Sequence, residues 1–166
     1  MNQRPILLVG AGGHCKALID VIEQGDLFKI EGILDHPDSK ITELLGYSIV
    51  GDDSSLSMFK QKFEYAFPAI GFLNKQVNRA NLYYNLIELG YTIPNIISKR
   101  SYVSNYCKLG QGNAVLHDSI LNAVSCIGSN ATANPPLCVK TAQHVKSSMG
   151  RWKRGSRRFK MRAPTS

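Results

Sequence analysis

The sequence predicts an α/β fold in two parts, a parallel, doubly wound sheet followed by a parallel β-helix. Two observations carry this. Over the first 95 residues, strand-length apolar runs alternate with helical stripes, the order of a parallel sheet with crossover helices. From Val103 the apolar residues recur every six instead, at Val103, Leu109, Val115, Leu121 and Ile127. Neither the helical nor the strand period fits that spacing, whereas a six-residue repeat supplies one flat β-helix face per hexad.

The first part reads in order. PILLVG is a continuous apolar run ending in glycine, as a strand buried on both faces should be. HCKALIDVIEQG sets Ala17, Leu18, Val21 and Ile22 on one helical stripe, with Gly25 as its stop. FKIEGILD is a second strand ending at Asp35, and YSIVG a short third. DDSSLSMFKQK opens with Asp and Ser, where N-caps belong, and reads as a helix. YAFPAIG is a fourth strand ending at Gly71. NKQVNRANLYYNLIELG is the clearest helix, with Val77, Leu82, Leu86 and Leu89 near helical spacing and Gly90 closing it. TIPNII is read as the last strand of this part.

In the second part a small or polar residue stands four positions after each apolar one: Cys107, Asn113, Ser119, Ser125 and Ala131. Two hexads open with an aliphatic residue and glycine, Leu109-Gly110 and Ile127-Gly128. Further on, Ala133, Val139 and Val145 keep the phase without the glycines or small residues, and the chain ends in RWKRGSRRFKMRAPTS. The expected divisions are an α/β domain over 1–95, a β-helix fragment over 96–132 and a basic, disordered tail over 133–166.

Charge follows the same division. Met1 to Asn130 holds 11 Lys and Arg against 12 Asp and Glu, a net charge of −1; Ala131 to Ser166 holds 9 Lys and Arg and no acid, a net +9. A basic tail on a neutral body argues for nucleic acid far less than a basic whole protein does. A solvated tail is expected despite Trp152 and Phe159 among its cations. No run approaches the length of a membrane helix, and polar Met1 to Pro5 leads straight into a strand, so no span or leader is expected. Cys15, Cys107, Cys126 and Cys138 show neither CxxC nor zinc spacing. A reduced, cytoplasmic protein without a metal site is the expectation.

The stretch ILLVGAGGHCKALID joins the first strand to the first helix. Against the GxGxxG dinucleotide pattern, Gly10 and Gly12 fit, but the last position is Cys15. Asp35 supplies the acid expected at the end of the second strand. An NAD site is therefore weakened, not removed. His14, at the helix N-terminus, has two open roles: a cationic or donor imidazole reaching a phosphate or sugar, or a solvated turn residue.

LLVGAGGHCKALID, GILDH, FPAIG and the hexads opening near SKRSYVSNYCKLGQGN together resemble one family, the NeuD/PglD-like sugar acetyltransferases, over about residues 4 to 130. The resemblance implies a Rossmann-like domain followed by a left-handed β-helix. It implies that the first domain binds a nucleotide-linked amino sugar, with Gly12, Gly13 and His14 near the phosphates and sugar. Asp35 and His36 would lie where the base is read, and Gly71 where backbone approaches the ligand. Acetyl-CoA is the implied co-substrate, held between subunits of a homotrimer. The implied reaction is N- or O-acetylation of a nucleotide-linked or sialic-acid-type amino sugar in surface-glycan biosynthesis.

The family's general base is a histidine flanked by acids one coil into the β-helix. Counting forward from Ile127-Gly128 places it near 141, where this chain has Thr141. His117, beside Asp118, comes a coil early, and His144 lies in the divergent segment. The expectation is a member truncated or frame-shifted after about residue 130. Its catalytic histidine and CoA site would be missing and its trimerisation impaired. The alternative is a non-catalytic nucleotide-sugar-binding module.

Overall fold

The structure, a computed structural model, describes residues 3–71, 76–134 and 137–145. The side chain of Val77, and the part of the basic tail from 146 on with Trp152 and Phe159, lie outside the described residues.

Strand β1 (Arg4–Val9) is an inner strand of a five-stranded sheet. Helix α1 (Gly13–Glu23) follows, then β2 (Phe28–Leu34), β3 (Glu43–Leu44), β4 (Tyr47–Gly51) and β5 (Tyr65–Pro68). The sheet order is β3-β4-β2-β1-β5, parallel except for the β3–β4 hairpin at the edge. The sequence reading missed that hairpin. Its two-residue turn, Leu45-Gly46, has positive φ at both positions (51° and 85°), which matches the twist of paired antiparallel strands. Asp52 caps the short turn Asp53–Ser55 by accepting from the Ser54 N–H at 2.8 Å, and α2 (Leu56–Phe59) continues it. Helix α3 (Gln76–Glu88) completes the layer beside β5.

β1 carries Ile6, Leu7 and Leu8 fully buried, as its apolar run requires. Leu18, Ile19, Val21 and Ile22 of α1 pack against it, with Cys15 at 0% exposure among them. This core extends without a break through Ile93 and Ile96 to Ala114 and Leu116.

The segment TIPNII departs from expectation. Thr92 makes one isolated parallel bridge to Tyr65, but β6 (Ile96–Ile97) pairs with Ala114 and Val115. It is the first rung of the β-helix, not the last strand of the sheet. Eight more two-residue strands follow: β7 (Tyr102–Val103), β8 (Lys108–Leu109), β9 (Ala114–Val115), β10 (Ile120–Leu121), β11 (Cys126–Ile127), β12 (Thr132–Ala133), β13 (Cys138–Val139) and β14 (His144–Val145). They stack as three parallel sheets, β6-β9-β12, β7-β10-β13 and β8-β11-β14. Partners lie 18 residues apart, as in Tyr102–Ile120–Cys138. Three hexads thus make one turn of a left-handed β-helix, and the described residues make three turns.

The ladder therefore runs past the boundary expected at 132, as far as Val145. The reason is physical. Val115, Leu121, Ile127, Ala133 and Val139 fill the interior in unbroken phase. The corners need a left-handed backbone rather than glycine. Gly112, Asp118, Val124, Asn130 and Ala142, each at a multiple of six from the first, have φ between 56° and 68°. Four of these five are not glycine, so the loss of glycines after Asn130 did not mark the end of the helix.

Polar residues in the interior are stacked in the same rhythm. Asn95 donates to the Gly110 carbonyl at 2.8 Å and accepts from the Asn113 N–H at 2.9 Å. Asn113, one coil on, donates to the same carbonyl at 3.1 Å and accepts from the Ala131 N–H at 2.7 Å. Each side-chain amide, Asn113 buried and Asn95 half-buried, thereby satisfies backbone groups at the corner.

Candidate functional site

The chain direction of β2, β1 and β5 brings their C-terminal ends to one edge of the sheet, where ligands of open α/β folds bind. A cavity of about 520 Å³ lies there, lined by Gly10, Ala11, Gly12, Asp35, His36, Asp53, Ile70, Gly71, Asn81, Leu82 and Asn85.

The glycine turn is shaped by close packing. Gly10 has φ +108°, and a Cβ there would sit 2.8 Å from Ile70 Cγ1. No side chain would fit without moving the β5 end. Gly12 and Gly13 are the opposite case: a Cβ on either meets nothing within 4 Å. The space in front of α1 is open. No side chain caps the helix, and its first turn holds no acid. Its leading N–H groups are thus available to an anion, with the helix dipole favouring one.

Asp35 ties β2 to this turn. Its Oδ1 accepts from the Ala11 N–H at 3.1 Å, and its own N–H donates to the Gly51 carbonyl at 3.1 Å. His36 is exposed, and its Nδ1 accepts from the Asp38 N–H at 3.3 Å. The same nitrogen lies 3.4 Å from Asp38 Oδ2.

Of the residues singled out in the sequence, Gly12, Asp35, His36 and Gly71 line the cavity together. Gly13 and His14 do not. Gly13 is the first residue of α1, and His14 packs behind the turn, with its Cβ 3.4 Å from where a Gly71 Cβ would stand. Its Nε2 is buried without a hydrogen-bond partner among the described residues. Burial, and then the charge of Arg79, pull His14 down to about 4. At neutral pH it is then an uncharged donor and acceptor. Arg79, itself fully buried, donates to the carbonyls of Pro68 and Ile70. It fixes the strand end that carries Gly71. Cys15, at the place of the third glycine, packs in the core. Burial, then Asp35, push its thiol up to about 12.

Sequence reasoning missed Asp53, Asn81 and Asn85. Asn81 and Asn85 are four apart on α3, which puts them on one face. They read as solvated helix residues until the sheet turns that face to the cavity. Asp53 stands two residues past β4, and burial pushes its carboxyl above the usual range, with Asp52 and Asp35 adding to the effect against His36.

The histidines considered as bases are placed differently. His117 has both ring nitrogens engaged: Nδ1 lies 2.7 Å from Ser98 Oγ, and Nε2 2.6 Å from Asp20 Oδ2. Its neighbour Asp118 is held by Arg100, with both carboxylate oxygens 3.1 Å from one guanidinium nitrogen. His144 pairs in register with Cys126 on the outer wall of β14 and β11, and Thr141 lies in the turn before it.

Residues 5–86 match the PglD N-terminal domain. By this domain the chain is similar to the NeuD/PglD-like sugar acetyltransferases. No curated protein sequence matches it. Among solved structures, the chain is similar to a histidine-to-asparagine variant of perosamine N-acetyltransferase from Caulobacter crescentus in complex with CoA and GDP-perosamine. The identity is 28%, the TM-score 0.79, and the match covers 87% of this chain and 66% of that one. PerB from the same organism, also with CoA and GDP-perosamine, matches at 29% identity and TM-score 0.70, covering 86% of this chain and 62% of PerB. The chain thus spans just under two thirds of the length of both. The acetyltransferase domain of PglB from Neisseria gonorrhoeae, with acetyl coenzyme A, matches in fold at 21% identity and TM-score 0.77, covering 87% of this chain and 68% of that domain. Among the described residues no helix is long and apolar enough to cross a membrane, and no group of three metal-ligating side chains comes together.

Proposed function

We propose that the chain binds a nucleotide-linked amino sugar in the cavity at the sheet edge, as part of an acetyl-CoA-dependent sugar acetyltransferase system. The observation that carries this is the union of an uncapped helix N-terminus with Gly12, which leaves open space, and Asp35, both lining one cavity. The phosphates would lie at the α1 N–H groups. Asp35 and Asp53 place hydrogen-bond acceptors on the lining, suited to a base or ribose that presents donors. Asn81 and Asn85 offer both donors and acceptors to a sugar. The bound GDP-perosamine of the Caulobacter enzymes supports this ligand class. His14 acts behind the turn as a neutral group that supports Gly71 rather than as a phosphate-binding cation.

As it stands, this chain binds without transferring acetyl. Three features support that reading. Thr141 occupies the position where the family resemblance expects the base. His117 spends both nitrogens on fixed partners. His144 has no acidic neighbour in sequence. Association between copies is supported by a row of exposed apolar residues on one β-helix wall and its corner, Tyr102, Tyr106, Ile120 and Val124.

Calorimetry with GDP-, UDP- and CMP-linked amino sugars tests the binding. Saturable heat with at least one of them is expected; no heat with any, from folded protein, refutes the reading. A coupled assay with acetyl-CoA tests the second part. Acetyl transfer at a rate typical of enzymes, on the order of one per second or faster, would show that a base has been misplaced.

A further inference from the structure

Ser98, His117 and Asp20 form a hydrogen-bonded chain across the junction between the α/β domain and the β-helix. Asp20 lies on α1, two turns beyond the glycine turn. Ser98 follows β6, and His117 follows β9 in the next coil. The three residue types are those of a hydrolytic triad, but the arrangement is not one. Ser98 is 2% exposed, and its Oγ already accepts from the Arg100 N–H at 3.1 Å. It faces Nδ1 of the ring rather than Nε2, with the carboxylate on the opposite nitrogen from the catalytic order. No substrate reaches this hydroxyl.

The protons in the chain can be placed. Asp20 Oδ2, 2.6 Å from Nε2, can only accept, so Nε2 carries a proton and donates it. In the neutral ring Nδ1 is then the acceptor, and Ser98 Oγ, which accepts from the Arg100 N–H, donates its own proton to it across 2.7 Å. Every group uses the hydrogen it has. Asp20 is also held by Gln24, which donates to its other oxygen at 2.9 Å. A second tether lies beside it: Lys99 Nζ is 2.6 Å from Asp26 Oδ2, in the loop after α1. The charged groups around the relay are thus Asp20, Arg100, Asp118, Lys99 and Asp26. Farther off, Gly112 meets Tyr83 of α3, where a Cβ would lie 2.8 Å from the ring. That apolar contact holds the two parts together but bears on α3, not α1.

We infer that His117 is a positioning residue: it fixes the far end of α1 against the β-helix, and so fixes the glycine turn at the near end of the same helix for its ligand. The inference rests on the proposed nucleotide site for its functional consequence, while the relay itself can be tested without ligand.

Nitrogen-15 NMR of the full chain at neutral pH reads the His117 tautomer. The expected signal is a ring whose Nε2 is protonated and hydrogen-bonded, changed by Asp20→Asn and by Ser98→Ala. A ring protonated at Nδ1 alone, or one indifferent to both variants, overturns the relay. His117→Gln and Asp20→Asn are then compared with the parent chain by hydrogen exchange of the α1 amides and by titration with GDP and UDP. The expectation is faster exchange in α1 at little-changed exchange in β1, and nucleotide affinity weaker by about three- to tenfold, the range of one hydrogen bond. Unchanged α1 exchange in both variants overturns the positioning role. So does an unchanged affinity in both. If neither nucleotide binds the parent chain, and no nucleotide sugar does, the proposed ligand fails; tautomer and exchange still decide the relay.

Discussion

Asp35 Oδ1 accepts a hydrogen bond from the backbone N–H of Ala11 across 3.1 Å, joining the end of β2 to the turn after β1. Ala11 is 3% exposed, so no water replaces that acceptor. Asp35→Ala should destabilise the fold by about 1–3 kcal/mol, the cost of a buried unsatisfied donor. Asp35→Asn keeps an acceptor and should cost less than about 1 kcal/mol, yet still weaken nucleotide binding. Urea unfolding and calorimetry on the two variants separate these effects. Equal stability in both would show that the Ala11 bond does not hold the turn.

His14 gives the fold a pH dependence of known sign. The unfolded chain takes up a proton near 6.5, the folded chain only near 4. The unfolded state thus binds more protons in that window, and stability falls as pH drops through it. The loss attributable to His14 is about 3 kcal/mol at most, by the shift between the two values. His14→Gln should remove it. The difference between parent and variant, followed by urea unfolding from pH 7 to pH 4, isolates this group from the carboxylates. Parallel curves would contradict the burial of the imidazole.

Val124 occupies a left-handed corner with φ 61° and is 59% exposed. A β-branched residue is strained there, and little packing is lost by replacing it. Val124→Asn should stabilise the chain by about 1 kcal/mol, seen as a higher Tm. A lower Tm at unchanged sedimentation would mean that the corner has another backbone geometry.

The cysteines should differ in reactivity. Cys15 is buried and its thiol is pushed up to about 12, while Cys138 is exposed. Since the thiolate is the nucleophile, a thiol reagent at pH 8 should label Cys138 quickly and Cys15 only on unfolding. Mass mapping of the labelled sites checks this. Early labelling of Cys15 would contradict its place in the core.

The apolar wall of the β-helix gives a further expectation. If copies associate through Tyr102, Tyr106, Ile120 and Val124, Ile120→Lys should shift sedimentation toward the monomer without altering the circular dichroism of the fold. An unchanged distribution would remove this wall as the contact.

Much of this architecture was legible in the residues. The alternation of PILLVG with a helical stripe required a buried parallel strand, and the hexads from Val103 to Ile127 have the phase that fills the interior. What was misread has identifiable causes. TIPNII has the composition of a sheet strand, but Ile96 and Ile97 find their partners in Ala114 and Val115, a pairing no local pattern reveals. The glycines of the hexads give out after Asn130, yet Asn130 and Ala142 adopt the corner backbone that Gly112 has. In the site, Gly12 and Asp35 were visible because strand ends and turns carry their own chemistry. Asn81, Asn85 and Asp53 were not, because only the packing of α3 and β4 turns ordinary polar residues toward one cavity. The place of His14 at a helix N-terminus leaves a cationic or donor imidazole and a solvated turn residue both open. Its burial behind Gly71 is a tertiary fact.

The central claim is that the glycine turn and Asp35 hold a nucleotide-linked sugar. Amide NMR shifts during titration with a GDP- or UDP-linked amino sugar test it most directly. The account predicts saturable shifts at Gly10 to Gly13, Asp35, His36 and Gly71, with the outer coils beyond the Ser98–His117 junction unmoved. Shifts confined to the β-helix, or none from folded protein at millimolar ligand, would contradict it.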